Sequence, residues 1–163
     1  MNAANSITTV RIALIPLLIG FLYQADPFLN SLVAGTLFLF ICLTDALDGY
    51  WARRLGEVSD LGKLLDPLAD KLLICIVLVA LVGLGKASAI PVMLIVAREL
   101  FIAGWRSQSM GEDRLFSANI LGKAKTVFQM LAVLMLILNI TGAPAILWSA
   151  VLLSWLSAAS YLL

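Results

Sequence analysis

The chain has 163 residues, 62% of them hydrophobic and 13% charged, and a net charge of +1; its mean hydropathy is +1.03. A soluble domain carries roughly 45–50% apolar and about 25% charged residues, so this excess calls for lipid rather than a larger core. Near-neutrality gives a nucleic-acid partner no electrostatic support, and six membrane helices of about 20 residues each would occupy nearly all of residues 1–163, a single membrane-embedded domain with no space for a second.

The expected fold is all-α, a polytopic bundle of six transmembrane helices. The apolar runs predict spans over Ile7–Tyr23, Asn30–Tyr50, Leu64–Leu84, Ala89–Arg106, Ile120–Ile140 and Ala143–Leu162. Turn chemistry separates them: Asp26-Pro27, Gly83 with Gly85, and Gly142 with Pro144. The first run lacks a basic leader, and Gln24-Ala25-Asp26-Pro27 is a poor cleavage site, so it reads as a retained helix. No internal repeat or low-complexity tract is evident. The two longer loops of the inner side, Trp51–Lys63 and Ser107–Asn119, are polar and suited to a water-accessible mouth.

Six crossings place both termini on one side. Every Lys and Arg except Lys86 falls on that side, so the positive-inside rule makes both ends cytoplasmic and predicts a multi-pass protein of the cell (inner) membrane. Cys42 and Cys75 lie inside apolar runs and read as packing residues, with no disulfide framework. There is no histidine, so proton transfer near neutrality falls to a carboxylate, a lysine or a metal-bound water.

The chemistry concentrates between the second and third spans, in Asp45-x2-Asp48-Gly49-x2-Ala52-Arg53-x8-Gly62-x3-Asp66-x3-Asp70. On helices, the three-residue spacing of Asp45 and Asp48 and the four-residue spacing of Asp66 and Asp70 place each pair on one face. Gly49 and Ala52 leave room beside the carboxylates, and Arg53 adds a forked cation. Acids at membrane helix ends are costly without a cavity, a counter-charge or an ion. Oxygen-only ligands suit a hard divalent cation such as Mg²⁺ or Mn²⁺, one ion or two. Singly the acids have ordinary readings: Asp66-Pro67 makes a good helix start, and Asp45 and Asp48 are placed to pair with Arg53 and Arg54. Four acids together with Gly49, Ala52 and Gly62 at these intervals fit those readings poorly.

This pattern resembles the signature of the CDP-alcohol phosphatidyltransferases, D-x2-D-G-x2-A-R-x8-G-x3-D-x3-D, and matches it at Asp45, Asp48, Gly49, Ala52, Arg53, Gly62, Asp66 and Asp70. The resemblance implies a six-helix membrane bundle that transfers a phosphatidyl group from CDP-diacylglycerol to an alcohol and releases CMP. It implies that Asp45, Asp48, Asp66 and Asp70 hold a pair of divalent ions and that Asp70 is the catalytic base. Gly49, Ala52, Arg53 and Gly62 would line the CDP-diacylglycerol pocket, with Asn5 and Thr8 as further nucleotide contacts; capping of the first helix is an equal reading of Asn5. A homodimer is expected by resemblance alone.

Looser motifs are similar to those of the bacterial phosphatidylglycerophosphate synthase branch: Asn5-x2-Thr8-x2-Arg11, Arg98-Glu99-x6-Arg106, Gly122-Lys123-x-Lys125-Thr126-x2-Gln129 and Trp155-x-Ser157-x3-Tyr161. They favour glycerol 3-phosphate as acceptor. Its phosphate needs cations, and Arg98, Arg106, Lys123 and Lys125 are the candidates; each taken alone also has a reading as a positive-inside residue. Arg98 is preferred, being the deepest and the one with no simple topological reason for its place. Lys123 and Lys125, two apart, point nearly opposite ways on a helix, so at most one faces a site squarely. Glu99 is placed to orient a basic neighbour, or to form a local salt bridge. The rival readings are a CDP-diacylglycerol-dependent cardiolipin synthase, a phosphatidylinositol phosphate synthase, a membrane transporter and a purely structural bundle.

Overall fold

The computed structural model describes the backbone of residues 3–24, 27–55, 60–108 and 120–162 and the side chains of 13–24, 29–44, 71–105 and 122–159. The described chain is all-helical: α1 (Ala3–Leu22), α2 (Pro27–Leu55), α3 (Asp60–Gly83), α4 (Ala89–Gln108), α5 (Ile120–Ile137) and α6 (Ala143–Leu162). The helices coincide with the expected spans, with two differences at the acidic segment. Helix α2 continues to Leu55 rather than ending at Tyr50, and α3 begins at Asp60. Asp66-Pro67 therefore lies within α3 and is not its start. Polar character had suggested a loop there, but a helix tolerates Arg, Lys and Leu well, so polarity alone was a poor boundary signal.

In each helix the described side chains cover only part of the length. Within those parts no helix is both long enough and apolar enough to cross a membrane.

The chain forms two compact units, Met1–Ala80 and Leu81–Leu163. In the first, α1 packs against α2. Ile15, Leu18 and Leu22 form the buried stripe of α1, and Ala34, Phe38, Ile41 and Cys42 that of α2; both follow the three- and four-residue spacing of a single helical face. Pro16 sits inside α1 and is exposed, which removes one backbone hydrogen bond at that turn. Thr36 and Thr44 return their hydroxyls to carbonyls of their own helix, at 2.9 Å to Leu32 and Val33 and to Phe40 and Ile41 respectively. A hydroxyl satisfied in this way asks nothing of its surroundings.

In the second unit, α6 packs against both α5 and α4. Its buried face is Ala143, Leu147, Ala150, Val151, Ser154, Ser157 and Ala158. Most of these are small, which lets neighbouring backbones approach closely. Two helix ends close on left-handed residues. Gly85 (φ 69°) follows α3, with Lys86 N–H donating to Leu81 O at 2.9 Å and Gly85 N–H to Val82 O at 3.0 Å. Asn139 (φ 54°) follows α5 in the same way, with Ile140 N–H donating to Met135 O at 2.9 Å and Asn139 N–H to Leu136 O at 3.3 Å. Both are Schellman caps, which satisfy carbonyls that a helix end leaves open. Lys86 adds a further cap: its Nζ donates to Ile137 O at the end of α5, 3.3 Å away, where the helix dipole favours a cation. Partial burial holds its pKa below the ordinary lysine value. The basic residue expected alone on the outer side thus holds a helix terminus.

Gly85→Val is expected to cost about 1–2 kcal/mol, because a side chain is strained in the left-handed region. Asn139→Gly is expected to change stability by no more than about 0.5 kcal/mol, since glycine adopts that conformation freely. Thermal unfolding in detergent, followed by circular dichroism, measures both.

Candidate functional site

The acidic motif divides between two helices. Asp45, Asp48, Gly49, Ala52 and Arg53 lie on α2; Gly62, Asp66 and Asp70 lie on α3. Both segments are unbroken helix, so Asp45 and Asp48, and likewise Asp66 and Asp70, share a helical face at spacings of three and four. Asn5 and Thr8 lie on α1 and Arg106 on α4. The side chains of all these residues fall outside the described set. Among the described residues no three His, Cys, Asp or Glu side chains assemble a metal site.

The described polar centre is in the second unit, on α4, α5 and α6. Helix α4 is inverted relative to a water-soluble amphipathic helix. Ile90, Met93, Leu100, Phe101 and Trp105 are exposed, Leu100 at 67%, whereas Arg98 and Glu99 are 3% exposed. Phe101 and Trp105, one turn apart, stack with ring centroids 6.3 Å apart on that outer face. The buried face of α4 carries Val92, Ile95 and Ile102 around the two charges.

Glu99 Oε1 is the hub. It accepts from Arg98 Nη1 at 3.1 Å, from Gln129 Nε2 at 3.3 Å and from Lys125 Nζ. Lys125 and Gln129 are one turn apart on α5, and both are buried. Arg98 also reaches α6: its Nε donates to Ser154 O at 3.0 Å, and its Nη2 to Ser157 Oγ at 3.5 Å. Two buried polar atoms have no partner among the described residues, Glu99 Oε2 and Ser154 Oγ. Among the described residues the cluster thus joins α4 to α5 through Glu99 Oε1 and α4 to α6 through Arg98.

Of the four candidate phosphate cations, the structure brings Arg98 and Lys125 together. Lys123 is exposed, on the other side of α5 from Lys125, as its spacing of two required. Gln129, Ser154 and Ser157 join the cluster without having been assigned a role from sequence, although Gln129 and Ser157 stand in two of the looser motifs. The available signals were the four-residue spacing of Lys125 and Gln129 and the three-residue spacing of Ser154 and Ser157.

The chain matches known proteins over the same extent as these features. Residues 1–157 match the CDP-alcohol phosphatidyltransferase family. The chain belongs to that family. Among its relatives is the CDP-diacylglycerol–glycerol-3-phosphate 3-phosphatidyltransferase of Bacillus subtilis, 40% identical over 149 residues, or 85% of this chain and 77% of the relative. Proteins of the same name from Rickettsia bellii and Rickettsia felis are each 36% identical over 169 aligned residues, covering 98% of this chain and 93% of theirs. The acidic signature and the Arg98–Glu99–Lys125 cluster both lie inside the region matched to the family.

Arg98→Met is expected to destabilise the protein by about 3–5 kcal/mol, the usual cost of removing one member of a buried charge cluster. Arg98→Lys is expected to recover part of that loss, because a lysine keeps the charge but not the guanidinium fork that contacts two helices. Thermal midpoints of the three proteins in one detergent give the comparison.

Proposed function

We propose that this protein transfers the phosphatidyl group of CDP-diacylglycerol to glycerol 3-phosphate, giving phosphatidylglycerophosphate and CMP. The observation that carries the reading is the complete acidic signature on α2 and α3 in a chain that is 36% identical, over nearly its whole length, to a CDP-diacylglycerol–glycerol-3-phosphate 3-phosphatidyltransferase. The buried cationic pair favours a phosphorylated acceptor over a neutral one.

In this reading a hydroxyl of glycerol 3-phosphate attacks the phosphorus that bears the diacylglycerol. The new P–O bond forms as the bond to CMP breaks, and CMP leaves with the bridging oxygen. The attacking hydroxyl's proton passes to Asp70. Asp45, Asp48, Asp66 and Asp70, two same-face pairs of oxygen donors on unbroken helix, fit a pair of Mg²⁺ or Mn²⁺ ions. Such ions, when bound, neutralise the diphosphate and stabilise attacking and leaving oxygens of an in-line displacement. Gly49, Ala52, Arg53 and Gly62, with Asn5 and Thr8, are assigned to the donor's nucleotide and phosphates. Arg98 and Lys125, with Arg106, are assigned to the acceptor's phosphate. Exposed Lys123 is the weakest member of that group.

The same proposal places the protein in the cell membrane, with six crossings, both termini and the active site on the cytoplasmic side, as a homodimer. Helix lengths of 18 to 29 residues support it, since about 20 residues span the hydrocarbon core. So does the inverted pattern of α4: apolar residues face outward and charges face inward, as lipid requires. Threonine and serine hydroxyls bonded within their own helices, Ser149 Oγ to Ala145 O at 2.9 Å among them, suit the same surroundings.

Purified protein given CDP-diacylglycerol with glycerol 3-phosphate, phosphatidylglycerol or inositol phosphate is expected to release CMP with glycerol 3-phosphate alone, and a chelator is expected to stop it. Product from phosphatidylglycerol or inositol phosphate instead would select the sister activities. Solute flux without CMP release would select a transporter. Asp66→Asn and Asp70→Asn are each expected to lower turnover by at least about 10²-fold, the lower end of what positioned proton transfer contributes; wild-type rates in both would leave only a structural bundle.

A further inference from the structure

We infer that the outward face of α5, headed by Lys123 and continued by Val127 and Leu131, binds one anionic phospholipid of the surrounding bilayer. The ammonium meets the headgroup phosphate, and the apolar residues meet an acyl chain. The inference rests on the proposed membrane placement and goes beyond the proposed reaction, in which this lipid is neither donor nor acceptor.

Helix α5 has two faces of different kind. Lys125, Gln129, Ala132 and Val133 are buried, on the side that carries the polar cluster and the packing against α6. Lys123, Val127 and Leu131 recur at every fourth position, so they share one face. All three are exposed, Val127 at 60% and Leu131 at 42%. The face therefore changes character once, from a cation to hydrocarbon, over a helical rise of about 12 Å. That length fits within one leaflet of a hydrocarbon core about 30 Å thick. The order is that of a phospholipid, with charge at the aqueous surface where α5 begins in the proposed placement and apolar chain below it.

The protein leaves this charge to an outside partner. The only carboxylate among the described side chains is Glu99, and it is engaged with Arg98 and Lys125 on the inner face. Among the described residues Lys123 has no hydrogen bond or ion pair. It also stands in the first turn of α5, which holds no acidic residue. The helix dipole disfavours a cation there and favours an anion. Lys86 is the contrasting case, a cation at the C-terminal end of the same helix, where the dipole welcomes it. A lipid phosphate answers both the Lys123 ammonium and the amino end of the helix. A headgroup with net negative charge is drawn to such a lysine, and one without net charge is not.

The full-length protein in phosphatidylcholine nanodiscs tests this with two probes, phosphatidylserine and phosphatidylcholine, each carrying a photoreactive group on one acyl chain. Neither is a substrate of the proposed reaction. Cross-linked peptides are located by mass spectrometry. The phosphatidylserine probe is expected to label Val127 or Leu131 about fivefold more than the phosphatidylcholine probe, the size of one lysine beside an anionic headgroup. Lys123→Gln is expected to abolish that preference and Lys123→Arg to retain it. Excess glycerol 3-phosphate is expected to leave the labelling unchanged. The inference is overturned if both probes label the wild-type face equally, or if Lys123→Gln keeps the preference. It is also overturned if glycerol 3-phosphate displaces the probe, which would return Lys123 to the acceptor's site, or if Val127 and Leu131 are covered by a second copy of the chain and cross-link to it instead of to lipid. Should neither probe label any helix, the proposed membrane placement fails instead.

Discussion

Charge inside a greasy protein has to be held by other charge, and among the described residues the Glu99 carboxylate does this. Glu99 Oε1 takes an arginine from its own helix and a lysine and a glutamine from α5, while the arginine reaches on to the main chain of α6. Removing one member of such a set leaves the others in a low dielectric without compensation, which is far more costly than the net worth of the intact set. In the second unit the polar contact ties α4 to both α5 and α6, while α5 and α6 pack on each other through apolar and small residues. Leucine packed on leucine gains little if the outer face already touches hydrocarbon; a satisfied charge cluster does not suffer from that equivalence.

The same cluster explains the odd appearance of α4. An amphipathic helix in water turns its charges outward, whereas α4 turns Arg98 and Glu99 inward and shows Ile90, Met93, Leu100 and Phe101 to the outside. In the proposed reading, this pattern suits a donor whose acyl chains stay in a bilayer and whose nucleotide, like the acceptor, is anionic. Among the described residues, Glu99 pairs the two interior cations. The acids of the proposed metal site lie on α2 and α3, and the cations proposed for the acceptor lie on α4 and α5.

Much of this could be read from residue order. The six apolar runs gave six helices because an uninterrupted apolar stretch of that length has few other ways to satisfy its backbone. Lys123 and Lys125 were separable by spacing alone, and the structure has one exposed and one buried. Helix ends read less well. Gly85 was visible as a breaker, but Asn139 was not, because asparagine in the left-handed region is a minority choice, and the fifth helix stops at Ile137 rather than Ile140. The limits of α2 and α3 around the acidic motif were misjudged because polar residues were taken for a loop. Ser154 and Ser157 were hidden for another reason. A serine in an apolar helix looks like neutral filler until a guanidinium from another helix is seen beside it. The metal-binding assignment of Asp45, Asp48, Asp66 and Asp70 still stands on pattern and helix register, since those side chains lie outside the described residues.

The tether between Arg98 and α6 has one property that the rest of the cluster lacks. Its stronger half, at 3.0 Å, ends on the main-chain oxygen of Ser154 rather than on a side chain. Every amino acid carries that oxygen, so drift at position 154 is limited by volume, not by hydrogen-bonding capacity: alanine, glycine or cysteine would inherit the anchor intact. Position 98 has no such freedom, because its end of the tether is a guanidinium. A small residue put at 154 keeps this strut, whereas replacing the arginine at 98 removes its donor.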